Sequence, residues 1–224
     1  MNAVSAARSR SRRTAALIVG IAAAVAFVGV YLVIYADGRQ PLPVDVWWHR
    51  LMIAGLSTVG VVIAWIPSIV GGTIGMIVIA LLLVAVFLWR RRRWDAANIA
   101  IAIALVVAIG APMSYIVARV RPGDSLAEST ATSFPSGHTA VATTVVITLG
   151  LLLRKWYVWV IGVLWVLWMM WARTYLHAHW LSDVVAGLLE GIAVATLVWW
   201  AVDTVRERRA ERSVSAASGE VITR

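Results

Sequence analysis

No cysteine occurs in the 224 residues, which excludes disulfides and any metal site built from thiolates. Lysine is almost as scarce, occurring only at Lys155, so the positive charge is carried by arginine. Charged residues make up only 14% of the chain, while 61% is apolar and the mean hydropathy is +0.84. That composition excludes the water-soluble globular class and leaves an integral membrane protein. The net charge of +9 does not indicate a nucleic-acid partner, because the arginines sit in short runs beside apolar segments rather than along one face. No repeat or low-complexity segment is apparent.

What is present is a series of apolar runs. Residues 1–14 carry Arg8, Arg10, Arg12 and Arg13 with no acid, and residues 15–36 are then continuously apolar. Twenty-two such residues exceed the roughly 7–15 of a cleaved signal region and match the roughly 20 of a spanning helix, which predicts an uncleaved first span. Apolar sequence resumes over 51–89, and further spans are expected at 97–118, 137–153, 156–174 and 180–201. The basic clusters fall at 1–14, 90–93, 154–155 and 206–212, whereas 37–50 and 119–136 mix arginine with aspartate and glutamate.

The clusters are therefore expected in the cytoplasm. Parity then requires residues 51–89 to cross an odd number of times, and a single crossing over 73–89 is the simplest solution. Residues 46–70, with Trp47, Trp48, Trp65 and Pro67, are left as helices lying in or dipping into the outer interface. The expected fold is all-α: a six-span polytopic bundle with an interfacial helical segment between the first two spans and both termini cytoplasmic. It divides into a basic N-terminus (1–14), a membrane domain (15–202) and a polar tail (203–224) expected to be disordered. Glycines paired at 71 and 75, and at 187 and 191, have the spacing that lets helices approach closely. Trp165, Trp168 and Trp171 share one helix face, which suits lipid or helix contact.

Two polar constellations interrupt the apolar pattern, and the predicted topology puts both on the outer face. In the later one, RTYLHAHWLSD, His179 and Asp183 are four residues apart and share a face if a helix starts near His179. A carboxylate there can fix one imidazole tautomer and leave the other nitrogen as a nucleophile or base. His177 has no partner at that spacing, and Arg173 adds a cation. The earlier one contains Pro135-Ser136-Gly137-His138 at the head of an apolar helix. Ser136 can cap, Gly137 permits close approach, and free first-turn amides suit an anion. Arg119 and Arg121 supply guanidinium forks matched to phosphoryl oxygens. Together these residues describe a phosphate site containing a nucleophile.

RVRP, then PSGH, then Arg173, His179 and Asp183 resemble the three signature motifs of the type 2 phosphatidic acid phosphatase superfamily, across residues 114–187. The resemblance implies a helical bundle and hydrolysis of a lipid phosphate or diphosphate that enters from the outer leaflet, with no metal or other cofactor. It implies His179 as the nucleophile, Asp183 holding its ring, and His138 as the general acid and base. Arg119, Arg121 and Arg173, with the amides around Ser136 and Gly137, would bind phosphate. Two positions depart from the family pattern: Ser114 stands where a lysine is usual, and Ala172 where a serine is. The first-choice substrate is a polyprenyl diphosphate, followed by phosphatidic acid or phosphatidylglycerol phosphate. The partners expected are that lipid and the bilayer, without nucleic acid. A catalytically weak relative that binds or transports lipid phosphate is the alternative. Glu190, seven residues beyond Asp183 and inside the apolar run, is an intramembrane acid and so a functional candidate.

Overall fold

The computed structural model describes the backbone of residues 3–127 and 130–222, and the side chains of these except at 3–6, 73–74 and 214–222. The described residues form eight helices: α1 (Ala3–Ala36), α2 (Pro43–Ala54), α3 (Thr58–Val70), α4 (Thr73–Trp89), α5 (Arg93–Val117), α6 (Gly137–Leu153), α7 (Trp156–Tyr175) and α8 (Leu181–Ile222). Among the described residues the only β pairing is a single bridge between Val120 and Thr132.

Four of these helices, α1, α5, α7 and α8, are long and apolar enough to cross a membrane. α3 and α4 form a bent pair, at 48°, that makes a fifth candidate. α4 and α6 have 17 residues each, at the short limit of about 17 for a span. All six expected spans thus have a helix. Residues 46–70 are helical apart from 55–57, although α3 continues into α4 through a break at Gly71 and Gly72 rather than standing apart from it.

Local chemistry sets the helix ends. Pro43 begins α2, where its missing amide hydrogen costs nothing, and the Asp45 carboxylate accepts from the Leu42 amide at 2.9 Å. Ser57 caps α3 by accepting from the Gly60 amide at 3.1 Å. α5 closes on Ala118 and α6 on Arg154, both at positive φ, and Pro122 follows soon after the first of these.

α6 and α8 form the centre, with α1 against α8, α5 and α7 against α6, and α3 and α4 against α7 and α5 respectively. The central contact depends on glycine. A β-carbon on Gly187 would lie 2.5 Å from the Ser136 carbonyl oxygen, and one on Gly191 2.6 Å from that of Ala140. Small residues there let the two backbones meet. Phe27, Ile34, Val117, Phe134 and Ala186 make one buried cluster at the level of the loops, and Ala102, Val106, Ala140, Val194 and Val198 another between α5, α6 and α8. Large apolar side chains such as Val25, Leu81, Ile161 and Leu164 point outward, as expected of a surface facing lipid.

The basic clusters gather at one end of the bundle. Arg13 pairs with Glu207, Arg92 with Asp95, and Arg206 Nη1 lies 3.8 Å from Asp95. Arg12 lies over the Trp199 ring and Arg209 over Trp94. The tail expected to be disordered continues α8 as helix to Ile222. Glu207, Arg206 and Arg209 tie its first turns to α1 and α5, which extends the helix past the apolar stretch.

Candidate active site

The opposite end of the same helices holds the polar constellations. The loop after α5 carries Arg119 and Arg121, the head of α6 carries Ser136, Gly137 and His138, and the turn between α7 and α8 carries His177 and His179. A cavity of about 760 Å³ opens there, lined at its polar end by Arg121, Thr130, His138, His179 and Ser114. Its other end, between α4 and α5, is apolar, with Ile77, Leu81, Ile103, Val106 and Val107.

His179 is 4% exposed. Its Nδ1 lies 2.7 Å from the Ser133 carbonyl oxygen, and because a carbonyl only accepts, Nδ1 must carry the hydrogen. The neutral ring then has its lone pair on Nε2, 3.3 Å from Arg121 Nη1 at the polar end of the cavity. Burial holds this imidazole well below its ordinary pKa. The charges of Arg173, Arg121 and His138 push the same way, and the bond to Ser133 opposes them. The ring is therefore an unprotonated base at neutral pH.

The hydrogen-bond partner of His179 differs from the sequence expectation. Asp183 Oδ2 lies 3.9 Å from Nδ1, beyond hydrogen-bond reach. Its oxygens instead accept from Arg119 Nη1 at 2.6 Å and from the Trp180 amide at 2.9 Å. Asp183 thus shapes the turn that carries His179, while the Ser133 carbonyl fixes the tautomer. A backbone acceptor 46 residues away leaves no mark in the sequence.

Arg119 is also displaced from its expected role. It is wholly buried and its guanidinium donates to Asp45, Asp183, Ser182 Oγ and the Gln40 carbonyl at 2.6–3.0 Å. Two carboxylates hold it away from the cavity. Asp45 closes the network by accepting from both the amide and the hydroxyl of Ser182 at 2.8 Å. Sequence reasoning missed Asp45; its signal was a lone acid in the first turn after Leu42-Pro43, in a segment otherwise read as interfacial.

Arg121 does face the cavity. Thr130 holds it through its carbonyl and hydroxyl oxygens, at 2.8 and 3.1 Å, and the Ala178 carbonyl accepts from Nη1. Gly137 and His138 line the same cavity. At the α3–α4 break, a β-carbon on Gly72 would come within 3.8 Å of His138 Nε2. Ser136 differs from expectation: its amide donates to the Asp183 carbonyl at 3.1 Å and its hydroxyl accepts from Thr139, so it joins α6 to α8 rather than offering groups to a ligand. Arg173 is buried and donates to Ser68 Oγ at 3.2 Å. Ser114, in place of the anticipated lysine, lines the cavity and donates to the Ala111 carbonyl at 2.8 Å.

The family model of the PAP2 superfamily matches residues 95–207, a span that takes in Arg119, Arg121, His138, Arg173, His179 and Asp183 but not the groups before α5. The chain belongs to the PAP2 superfamily.

An undecaprenyl-diphosphatase from Sulfolobus acidocaldarius is 30% identical to this chain over 149 residues, 63% of the chain. The aligned part spans 65% of that relative's length. The crystal structure of a transmembrane PAP2 type phosphatidylglycerolphosphate phosphatase from Bacillus subtilis superposes with a TM-score of 0.75 at 18% identity, covering 84% of this chain and 97% of that one. Aquifex aeolicus LpxE superposes with a TM-score of 0.63 at 21% identity, covering 70% and 96%. At these identities the two structures establish a shared fold. With its apolar helices, this PAP2 chain is a multi-pass membrane protein.

Glu190 lies on α8 deeper in the bundle, 2% exposed, and neither carboxyl oxygen has a hydrogen-bond partner among the described residues. Oε1 would sit 3.1 Å from a β-carbon on Gly110, which lines the apolar part of the cavity.

Proposed function

We propose that this protein hydrolyses the terminal phosphate of a lipid phosphate or diphosphate at the extracytoplasmic face, through a phosphohistidine on His179 and without a metal in the reaction. The observation that carries the reading is the lone pair of His179 Nε2 facing Arg121 at the polar end of a cavity whose other end is apolar. Such a cavity accepts one molecule with an anionic head and a hydrocarbon tail.

His179 Nε2 attacks phosphorus in line as the bond to the leaving oxygen breaks, and His138 gives that oxygen its proton. Nδ1–H stays on the Ser133 carbonyl, which supports the positive phosphoimidazole ring. Water then attacks phosphorus, His138 takes a proton from it, the P–N bond breaks, and inorganic phosphate leaves. Arg121, with the Gly137 and His138 amides at the head of α6, holds the equatorial oxygens, where charge must be stabilised, and Arg173, which does not line the cavity, adds positive charge beside His179. Arg119 and Asp183 are positioning residues.

The relative named undecaprenyl-diphosphatase supports a polyprenyl diphosphate as the first-choice substrate, with phosphatidylglycerol phosphate or phosphatidic acid second. The gathered basic clusters support a cytoplasmic location for their end of the bundle, and six crossings, by α1, α4, α5, α6, α7 and α8, are the reading that then has the site outside.

The test is phosphate release by the purified protein, in EDTA, from a panel of these lipids and a soluble phosphate monoester. The expected result is turnover of at least one lipid, abolished in His179→Ala with unchanged thermal unfolding. Substantial hydrolysis in His179→Ala rejects the nucleophile. Phosphate-lipid binding without turnover in the wild type would favour the weakly catalytic alternative, with Ser114 as its cause.

A further inference from the structure

Beside the phosphate cavity, three ligand-bearing side chains from separate segments meet without any part in the chemistry above. His49 comes from α2, Asp124 from the loop after α5, and His177 from the turn between α7 and α8. His49 Nε2 lies 3.1 Å from Asp124 Oδ1, and His177 Nδ1 lies 2.9 Å from Asp124 Oδ2. One donor atom from each falls within 4.8 Å of the others. The two imidazoles meet edge to face, with centroids 4.6 Å apart.

We propose that His49, Asp124 and His177 form a binding site for one divalent transition-metal ion of the zinc class, separate from the phosphate site. Two imidazoles and a carboxylate suit zinc and its neighbours, with water completing the shell. Donors about 2.1 Å from a tetrahedral ion lie about 3.4 Å from one another; here the two Asp124 oxygens stand 3.1 and 2.9 Å from one ring nitrogen each, and small side-chain adjustments bring all three donors to that spacing. Asp124 is half exposed, so the ion can reach the site and the carboxylate can adjust to it.

One feature of His177 favours an ion over a plain ion pair. The ring is buried, and despite the short distance to Asp124 neither nitrogen makes a hydrogen bond of acceptable geometry. Buried imidazole nitrogens normally find a partner. Donors that share an ion are neighbours around it, so their lone pairs converge on the metal instead of pointing at each other. A short but misaligned N···O approach is what that arrangement leaves.

His177 has φ of +52°, a region that favours glycine, so a glycine can replace it without disturbing the turn. The ion would join α2, the Asp124 loop and the turn two residues before His179, making the rim of the site rigid.

The test uses the full-length, untagged protein in detergent, stripped with a chelator, desalted and incubated with zinc chloride. Bound zinc is counted by mass spectrometry, and thermal unfolding is followed with and without zinc. The expected wild-type result is one zinc per chain and a higher unfolding temperature with zinc. His177→Gly suits the positive φ and so keeps the turn. It and Asp124→Asn are expected to weaken zinc binding at least about tenfold and to lose the zinc-dependent shift. A wild type that retains no zinc, or a His177→Gly protein that retains as much and shifts as far, overturns the proposal.

Discussion

Arg119 Nη1 lies 2.6 Å from Asp183 Oδ1, while the same carboxylate stands 3.9 Å from the His179 ring. The carboxylate of the last motif therefore belongs first to a buried ion cluster that also includes Asp45, and only through that cluster to His179. Removing one partner from such a group leaves uncompensated charge in a place without water.

Arg119 and Arg121, two residues apart, should thus fail differently. Arg119→Gln is expected to destabilise the protein by about 3–5 kcal/mol, seen as a large fall in thermal unfolding temperature. Arg121→Gln should leave the unfolding temperature within a few degrees and remove about 10²–10³-fold from kcat. Equal loss of stability in both would contradict the assignment of Arg119 to structure.

Asp183→Asn offers a second contrast. Where a carboxylate itself fixes the histidine tautomer, its amide variant loses about 10⁴-fold. Here the Ser133 carbonyl keeps the tautomer, and loosening the turn shifts the ring by a fraction of an ångström, which costs about 10²-fold or less. Steady-state kinetics on a lipid phosphate, beside His179→Ala as the inactive reference, distinguish the two losses.

These contrasts mark how far the sequence could be read. The apolar runs and basic clusters located the helices well, because bilayer thickness and charge bias act on composition: α4 spans the 73–89 assigned by parity, and α6 begins after Ser136. Pairing across the site was less legible. His138, Arg121 and Gly137 reach the cavity as expected, but spacing within a helix makes Asp183 look like the partner of His179 and cannot reveal a carbonyl from another loop. Asp45 was invisible for the same reason: its partners lie 74 and 137 residues away.

The pH profile should follow the environment of His179. Burial and neighbouring cations lower its pKa, so the acid limb of kcat/KM is expected below the ordinary imidazole value of about 6.5. The same shift affects stability. The folded state resists protonating this ring, so its contribution is fully present above the unfolded pKa and is lost as pH falls below it. An acid limb at or above the ordinary value would contradict the buried, cation-flanked ring.

Gly187 tests the central contact. A β-carbon there would lie 2.5 Å from the Ser136 carbonyl oxygen and 3.2 Å from the Ala140 nitrogen, both backbone atoms that cannot rotate away. Gly187→Ala must therefore push the head of α6 from α8. A loss of about 1–3 kcal/mol is expected, together with lower kcat because Gly137 and His138 move with that helix. A variant with wild-type stability and turnover would mean that the two helices are farther apart than the structure has them.

Glu190 presents the opposite situation, a group whose removal should help. Its carboxyl oxygens are buried without hydrogen-bond partners among the described residues, and an unmet polar group of this kind costs about 1–3 kcal/mol. If it only fills space beside Gly110, Glu190→Leu should raise the unfolding temperature and Glu190→Gln should leave the pH profile of turnover unchanged. If the acid carries protons or contacts substrate from the cavity wall, Glu190→Gln should instead shift that profile or lower kcat. The expected outcome is the first. The carboxyl group sits beside the apolar half of the cavity rather than at Arg121 and His179, and in the proposed mechanism His138 completes the proton transfers of both steps.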